Sequence, residues 1–312
     1  MGKLSKSLKL FLGVAIAGGG ALVAKNYLAV KKAKEQFPAL GSYVLVEGSS
    51  LHYLTEGEGD SVVLIHGEKG DLYDFYLSGL WNKLKESNKV TAIDRSGYGN
   101  SARDTWKDHG YEAQGKVLNQ AITELKLEKP LLVAYKEASG IVLSMIMQEP
   151  NKYRGAVLIG EKPLDDLDFN DKISSIPVLG KTFLWTVAPL MEENKIKQSF
   201  NTPSEYLEKA ILSDNQPSKL ITANDNKLFM NETDLEKMAE KLEEINIPLT
   251  LVYPNPGNTR SLFDCDNVRR VFKNSKIVYT HESDIMSILD SDKILDEILD
   301  ILSAPEVVEN KV

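Results

Sequence analysis

The chain has 312 residues, 42% of them hydrophobic and 26% charged, with a formal net charge of −8. That composition suits one large globular domain or two small ones and excludes a disordered, collagen-like or multi-span membrane chain. The acidic balance argues against nucleic acid as a partner, because phosphate backbones are held by clustered Lys and Arg. A single cysteine, Cys265, excludes intrachain disulfides and thiolate metal cages, and four histidines leave little room for a His-rich metal site. No metal and no cofactor is expected.

The first 36 residues read as a separate, basic object. Leu10 to Ala24 is an uncharged apolar and small-residue run that extends through Val30 if Lys25 and Asn26 are tolerated. As helix, residues 10–30 would reach roughly 31 Å, about one hydrocarbon core. Lys3, Lys6 and Lys9 precede the run and Lys31, Lys32 and Lys34 follow it, so they fit lipid head groups at both ends. An uncleaved single-pass transmembrane helix, with membrane lipid as partner, is the expectation. A cleaved signal peptide and an amphipathic segment packed on the domain are the alternatives. Residues 1–36 hold seven Lys and one Glu, for +6; the remaining 30 basic and 44 acidic residues give −14.

After Pro38 short apolar runs alternate with helical patterns. Tyr43–Glu47 and Ser50–Thr55 flank Gly48-Ser49 as a hairpin, and Ser61–Ile65 and Lys89–Ile93 read as buried strands. Helices are predicted near 77–87, 111–125, 138–148 and 291–302. Further strands are predicted at Pro130–Ala134, Gly155–Ile159, Pro248–Tyr253 and Lys276–Thr280. Continuous apolar strands alternating with helices mean a mostly parallel sheet covered on both faces, the α/β class. Residues 162–246 break the alternation with a polar, helical stretch punctuated by Pro177, Pro189, Pro203 and Pro217, which reads as a lid. The core is then residues 37–161 and 247–304, and 305–312 is a tail.

Three motifs fall in a telling order. His66-Gly67 ends one strand. Asp94-Arg95-Ser96-Gly97-Tyr98-Gly99-Asn100-Ser101 follows the next, and the lid follows the strand that ends near Gly160. Over about residues 43–303 this arrangement resembles the α/β-hydrolase superfamily, whose Asp-x-x-Gly-x-Gly-x-Ser loop is the most specific match. The resemblance implies the α/β-hydrolase fold and places His66, Gly67, Glu68 and Glu137 in the pocket beside the oxyanion region.

It also implies where a catalytic triad should stand. The strand-to-helix turn that normally bears the nucleophile, small-x-Nuc-x-small, corresponds to Ala134-Tyr135-Lys136-Glu137-Ala138, with Lys136 at the nucleophile position. Ser139 is out of register, because Glu137 and Ile141 at its ±2 positions are too large. The family's Gly-His-apolar pattern falls on Ser283-Asp284-Ile285, so Asp284 replaces the base, with His281 as an alternative base. Where the acid belongs stand Gly257 and Asn258. Departure at all three positions argues against Ser-His-acid hydrolysis. The expected replacement is a Lys136–Asp284 ion pair, with Glu68 as a second partner; a buried ammonium demands one. Asp94 and Arg95 are expected to brace their loop, Trp81, Trp106 and Trp185 to pack core or lid, and Glu232–Glu240 to be a solvated helix face. The functional expectation is a membrane-anchored pseudoenzyme acting as a binding or scaffold module, or as an accessory subunit with protein partners in a membrane complex. An active esterase-type or C–C hydrolase with unconventional groups, and a small-molecule receptor using the lidded pocket, are the alternatives.

Overall fold

The computed structural model describes residues 6–103, 110–160, 174, 176, 179–199, 204–229, 245–254, 274–280 and 288–304, with side chains of the first helix from residue 19 onward. It divides into two compact units, Met1–Pro38 with Leu167–Asn224, and Ala39–Asp166 with Asp225–Val312.

The second unit is built on one eight-stranded sheet. The strands are β1 (Ser42–Val46), β2 (Ser49–Glu56), β3 (Asp60–Ile65), β4 (Asn88–Ile93), β5 (Leu131–Tyr135), β6 (Gly155–Ile159), β7 (Leu249–Pro254) and β8 (Ser275–Thr280). Their order is β1-β2-β4-β3-β5-β6-β7-β8. Only the β1–β2 and β2–β4 pairs are antiparallel; from β4 to β8 every pair is parallel, and Ile65 stands between Ile93 and Ala134 in register. All five residues of β5 and of β6 are buried, as strands covered on both faces must be.

The hairpin turn lies one residue earlier than the sequence suggests. Val46 pairs with Ser49, so Glu47 and Gly48 are the central residues, both with positive φ (49° and 89°). Two left-handed residues give a turn whose twist matches the flanking strands. The predicted helix over 77–87 is instead two short helices, α2 (Tyr73–Tyr76) and α3 (Gly79–Leu84). They separate because the Ser78 hydroxyl accepts the Trp81 N–H, capping the second. Trp81 is fully buried, as expected of a core residue.

Helices α4 (Tyr111–Glu124) and α5 (Ala138–Gln148) follow β4 and β5. They approach closely because Gly140 faces the Tyr111 ring and Gly115 faces Ser144, where any Cβ would collide or crowd. Their apolar faces and the inner strands form one core that includes Ile65, Leu132, Ile141 and Leu158.

The first unit joins the N-terminal helix α1 (Lys6–Gln36) to α6 (Leu179–Thr186), α7 (Ala188–Ser199), α8 (Glu205–Lys209) and the first part of α9 (Pro217–Phe229). Pro189 and Pro217 sit in the first turns of α7 and α9, where a missing N–H costs nothing. α1 is held by its C-terminal half: buried Asn26 donates to the Trp185 carbonyl (2.8 Å), Lys25 pairs with Glu193 (3.0 Å), and Lys32 and Gln36 both reach Glu208. Leu184, Ala188 and Leu220 form a small local core. Trp185 itself is 45% exposed. Among the described residues no helix is long and apolar enough to cross a membrane. The expected span over residues 10–30 is not supported, and Asn26 within it is buried against the Trp185 carbonyl of the same unit. A last helix, α10 (Asp292–Ser303), packs Ile294 and Ile298 inward in the second unit.

Candidate functional site

The parallel strands end at two loops that brace one another. The Asp94 carboxylate accepts the backbone N–H groups of Leu72 (2.7 Å) and Asn100 (2.8 Å) and meets His52 Nδ1 at 2.8 Å. Ser101 donates to the Asp94 carbonyl (2.6 Å) and accepts the His52 N–H. Gly97 and Gly99 have φ of 78° and 52°, and a Cβ on Gly99 would strike the Asp94 carboxylate. The Asp-x-x-Gly-x-Gly-x-Ser pattern is therefore the recipe for a tight loop folded over its own aspartate.

Arg95 ties this loop to His66-Gly67. Its guanidinium donates to the Gly67 carbonyl and to Gln114 Oε1, both at 2.9 Å, and its backbone N–H donates to His66 Nε2 at 3.0 Å. Nε2 is thus an acceptor, so the ring proton lies on Nδ1, which donates to the Gly67 carbonyl at 2.8 Å. Arg95 also lies 4.5 Å from the centre of the Tyr98 ring. Burial pushes the Tyr98 hydroxyl up to about 12, against the opposing pull of Arg95. Both His66 and Arg95 are buried and serve as struts.

The turn between β5 and α5 has the geometry of an elbow. Lys136 is left-handed (φ 50°), its N–H donates to the Ile159 carbonyl (2.8 Å), and its own carbonyl accepts the Ser139 N–H (2.9 Å). Ala134 and Ala138 are fully buried on either side, which explains the small residues of the frame. Ser139 is buried in the first turn of α5 with its hydroxyl unpartnered. The Lys136 side chain is exposed, its ammonium 5.0 Å from the Tyr135 ring centre. Desolvation pulls its pKa down, but Tyr135 and the Glu137 and Asp74 carboxylates outweigh that pull, and the net shift is upward. The group is a persistent cation.

Glu137, expected in the oxyanion region, reaches the backbone after His66-Gly67. Its Oε2 accepts the backbone N–H of Glu68 at 3.0 Å and lies against Gly67. The sequence casts Glu68 as the carboxylate near Lys136; in the structure that part falls to Glu137 and Asp74, the latter buried beside Gly70. The sequence carried a signal for Glu137, an acid of the expected oxyanion region. Asp74, in a short helix, carried none. Asn258, His281, Asp284, Trp106 and the acidic run 232–240 lie outside the described residues.

No family model matches the sequence. One curated protein, a cis-3-alkyl-4-alkyloxetan-2-one decarboxylase from Shewanella oneidensis, is 23% identical over 115 residues, so the match spans 36% of this chain and 36% of that protein. Solved structures agree over far more. An epoxide hydrolase solved without ligand superposes with a TM-score of 0.68 at 14% identity over 84% of this chain and 97% of that one. An esterase from Exiguobacterium antarcticum gives 0.66 at 16%, over 85% and 100%. The fold is that of the α/β-hydrolases. A bacterial membrane phospholipase A gives 0.65 at 17%, over 95% of this chain and 98% of that one. The turn that joins β5 to α5 in this fold carries the left-handed Lys136.

Proposed function

We propose that this chain is a non-hydrolytic α/β-hydrolase-fold protein that works at a membrane as a binding or scaffold module. The observation that carries the reading is the Glu137 carboxylate on the Glu68 N–H (3.0 Å) beside a left-handed Lys136. Acyl transfer in this fold needs two backbone donors aimed at a developing oxyanion. Here one donor already holds a resident carboxylate, which would also repel a second negative charge. Removing a single oxyanion donor costs roughly 10²–10³ in kcat. The elbow residue adds to this. A nucleophile needs a free electron pair, and the surrounding acids hold Lys136 protonated. Asp284 completes the proposed arrangement as a further acid for the ammonium.

Membrane association rests on α1. Its contacts with the other helices of its unit run from Lys25 and Asn26 to Lys32 and Gln36, which leaves residues 6–24. Nineteen helical residues span about 28 Å, short of the ~30 Å hydrocarbon core. This segment therefore enters the interfacial region of one leaflet, where its lysines meet anionic head groups. Val23, Tyr27 and Leu28 of α1 and Val187 after α6 are exposed in the same unit. The membrane phospholipase match leaves 5% of 312 residues, about 16, outside it, fewer than the 31 of α1, so much of this helix has a counterpart there.

The test is turnover of short activated esters by the purified full chain, compared with a Lys136→Ala variant. Equal background rates and no labelling by a fluorophosphonate probe are expected. Turnover above the variant, or labelling, overturns the reading. A second reading, an active hydrolase with unconventional groups such as His281, draws on the company the fold keeps: the compared structures include an epoxide hydrolase, an esterase and a phospholipase. Under that reading His281→Ala abolishes a measurable rate; under the first there is none to abolish.

A further inference from the structure

The end of the sheet opposite the elbow carries a feature that hydrolase chemistry does not use. The parallel strands β3, β4, β5 and β6 begin there, and an open groove of about 810 Å³ runs between their leading loops. Lys89 at the start of β4, Lys126 and Lys129 between α4 and β5, and Lys152 and Arg154 ahead of β6 line it. Asp60 and Glu128 are the acids on its wall. Five cations against two anions make a wall of +3, in a stretch of chain (residues 37–312) that is −14. Gathering five like charges where acids are in excess works against their mutual repulsion, and an anion seated among them relieves it.

The members differ in how they are held. Arg154 is fixed by Asp60 (3.3 Å) and by the Ala304 carbonyl; Lys152 is fixed by Glu149 (3.1 Å) and by the Asn119 carbonyl (2.6 Å). Lys89 and Lys126 make no ion pair among the described residues and keep their charges available. The backbone adds a second observation. Lys126 and Lys129 are both left-handed, with φ of 52° and 37°. Lys126 ends α4 in a turn where Leu127 donates to the Ile122 carbonyl and Lys126 to the Thr123 carbonyl, a position that favours glycine. A lysine kept there retains its side chain against the backbone's preference. The negative end of α4 accounts for one such cation but not for five.

We propose that this groove binds a small polyanion bearing adjacent phosphoryl groups. Ammonium groups such as those of Lys89 and Lys126 pair with phosphate oxygens, and the groove falls in the size range of small-ligand sites. The proposal is independent of what the elbow does. Calorimetric titration of the full chain with inorganic pyrophosphate is its test. Binding that weakens steeply with salt is expected, because the groove is open to solvent. A Lys89→Ala/Lys126→Gly double variant should bind at least about tenfold more weakly, the equivalent of one lost charge-assisted contact. Lys126→Gly relieves the left-handed strain, so that variant melts no lower than the parent and loss of binding cannot be ascribed to misfolding. Competition then separates the sources: displacement by dihexanoyl phosphatidic acid assigns the site to lipid head groups, and displacement by a nucleoside diphosphate assigns it to soluble ligands. Absence of heat with pyrophosphate, an unchanged Kd in the double variant, or equal displacement by sulfate overturns the proposal.

Discussion

At the residue scale the proposed non-hydrolytic reading rests on two neighbouring residues. Under the proposed reading Lys136 stands where a nucleophile would, and the Glu137 carboxylate on the Glu68 N–H fills a donor that an oxyanion would need. Lys136→Ser alone should therefore restore no esterase activity, whereas Lys136→Ser with Glu137→Ala should leave the Glu68 N–H free and be labelled by a fluorophosphonate if a base is present. Asp94 offers a different check. It is buried and accepts two N–H groups besides meeting His52. Asp94→Ala orphans those donors and should cost about 3 kcal/mol or more in urea unfolding. Tyr98 supplies a pH signature. Its folded pKa of about 12 lies above the unfolded value near 10, so the folded state holds the proton more tightly. Its stabilisation is complete below pH 10 and is lost as pH rises towards 12, by up to about 3 kcal/mol. Tyr98→Phe should flatten that alkaline fall, as followed by circular dichroism. The identities of these groups were legible in the sequence: the Asp94 loop spelled its own turn in glycines, and the small-x-x-x-small frame located Lys136. Their contacts were not, because the Glu137–Glu68 pairing joins residues 69 apart and only the sheet register brings them together.

At the scale of elements, periodicity found every described strand to within a residue or two, and α5 and β6 at both ends. Misses came where a single polar atom or a φ sign decides. The Ser78 hydroxyl splits α2 from α3, and the left-handed Glu47 shifts the hairpin by one residue. Neither leaves a mark on hydrophobic pattern. The α4–α5 contact was likewise unreadable, since a glycine in a helix signals nothing about its neighbour until Tyr111 is found against Gly140. Gly140→Ala should force the helices apart at a cost of roughly 1–3 kcal/mol, with a lower urea midpoint and an unchanged slope. Glu47→Asn should be nearly neutral or slightly stabilising. Asparagine tolerates the left-handed turn, and the exposed Lys116 pair it gives up is screened by solvent.

At the scale of the molecule, charge is divided by sequence: +6 over residues 1–36 and −14 over the rest. If α1 holds the chain at an anionic surface, floatation with phosphatidylserine vesicles should fall with added salt and should be lost in a Leu12→Asp/Ile16→Asp variant, while neutral vesicles bind weakly throughout. The sheet of the second unit imposes a further arrangement. Its strands of five or six residues put about 20 Å between the basic groove, where they begin, and the elbow, where they end. Side chains so far apart share no partner, and free energies of substitution at such separations usually sum. A groove variant combined with an elbow variant should therefore shift stability by the total of the two alone, and each end of the sheet should be open to change without the other's consent.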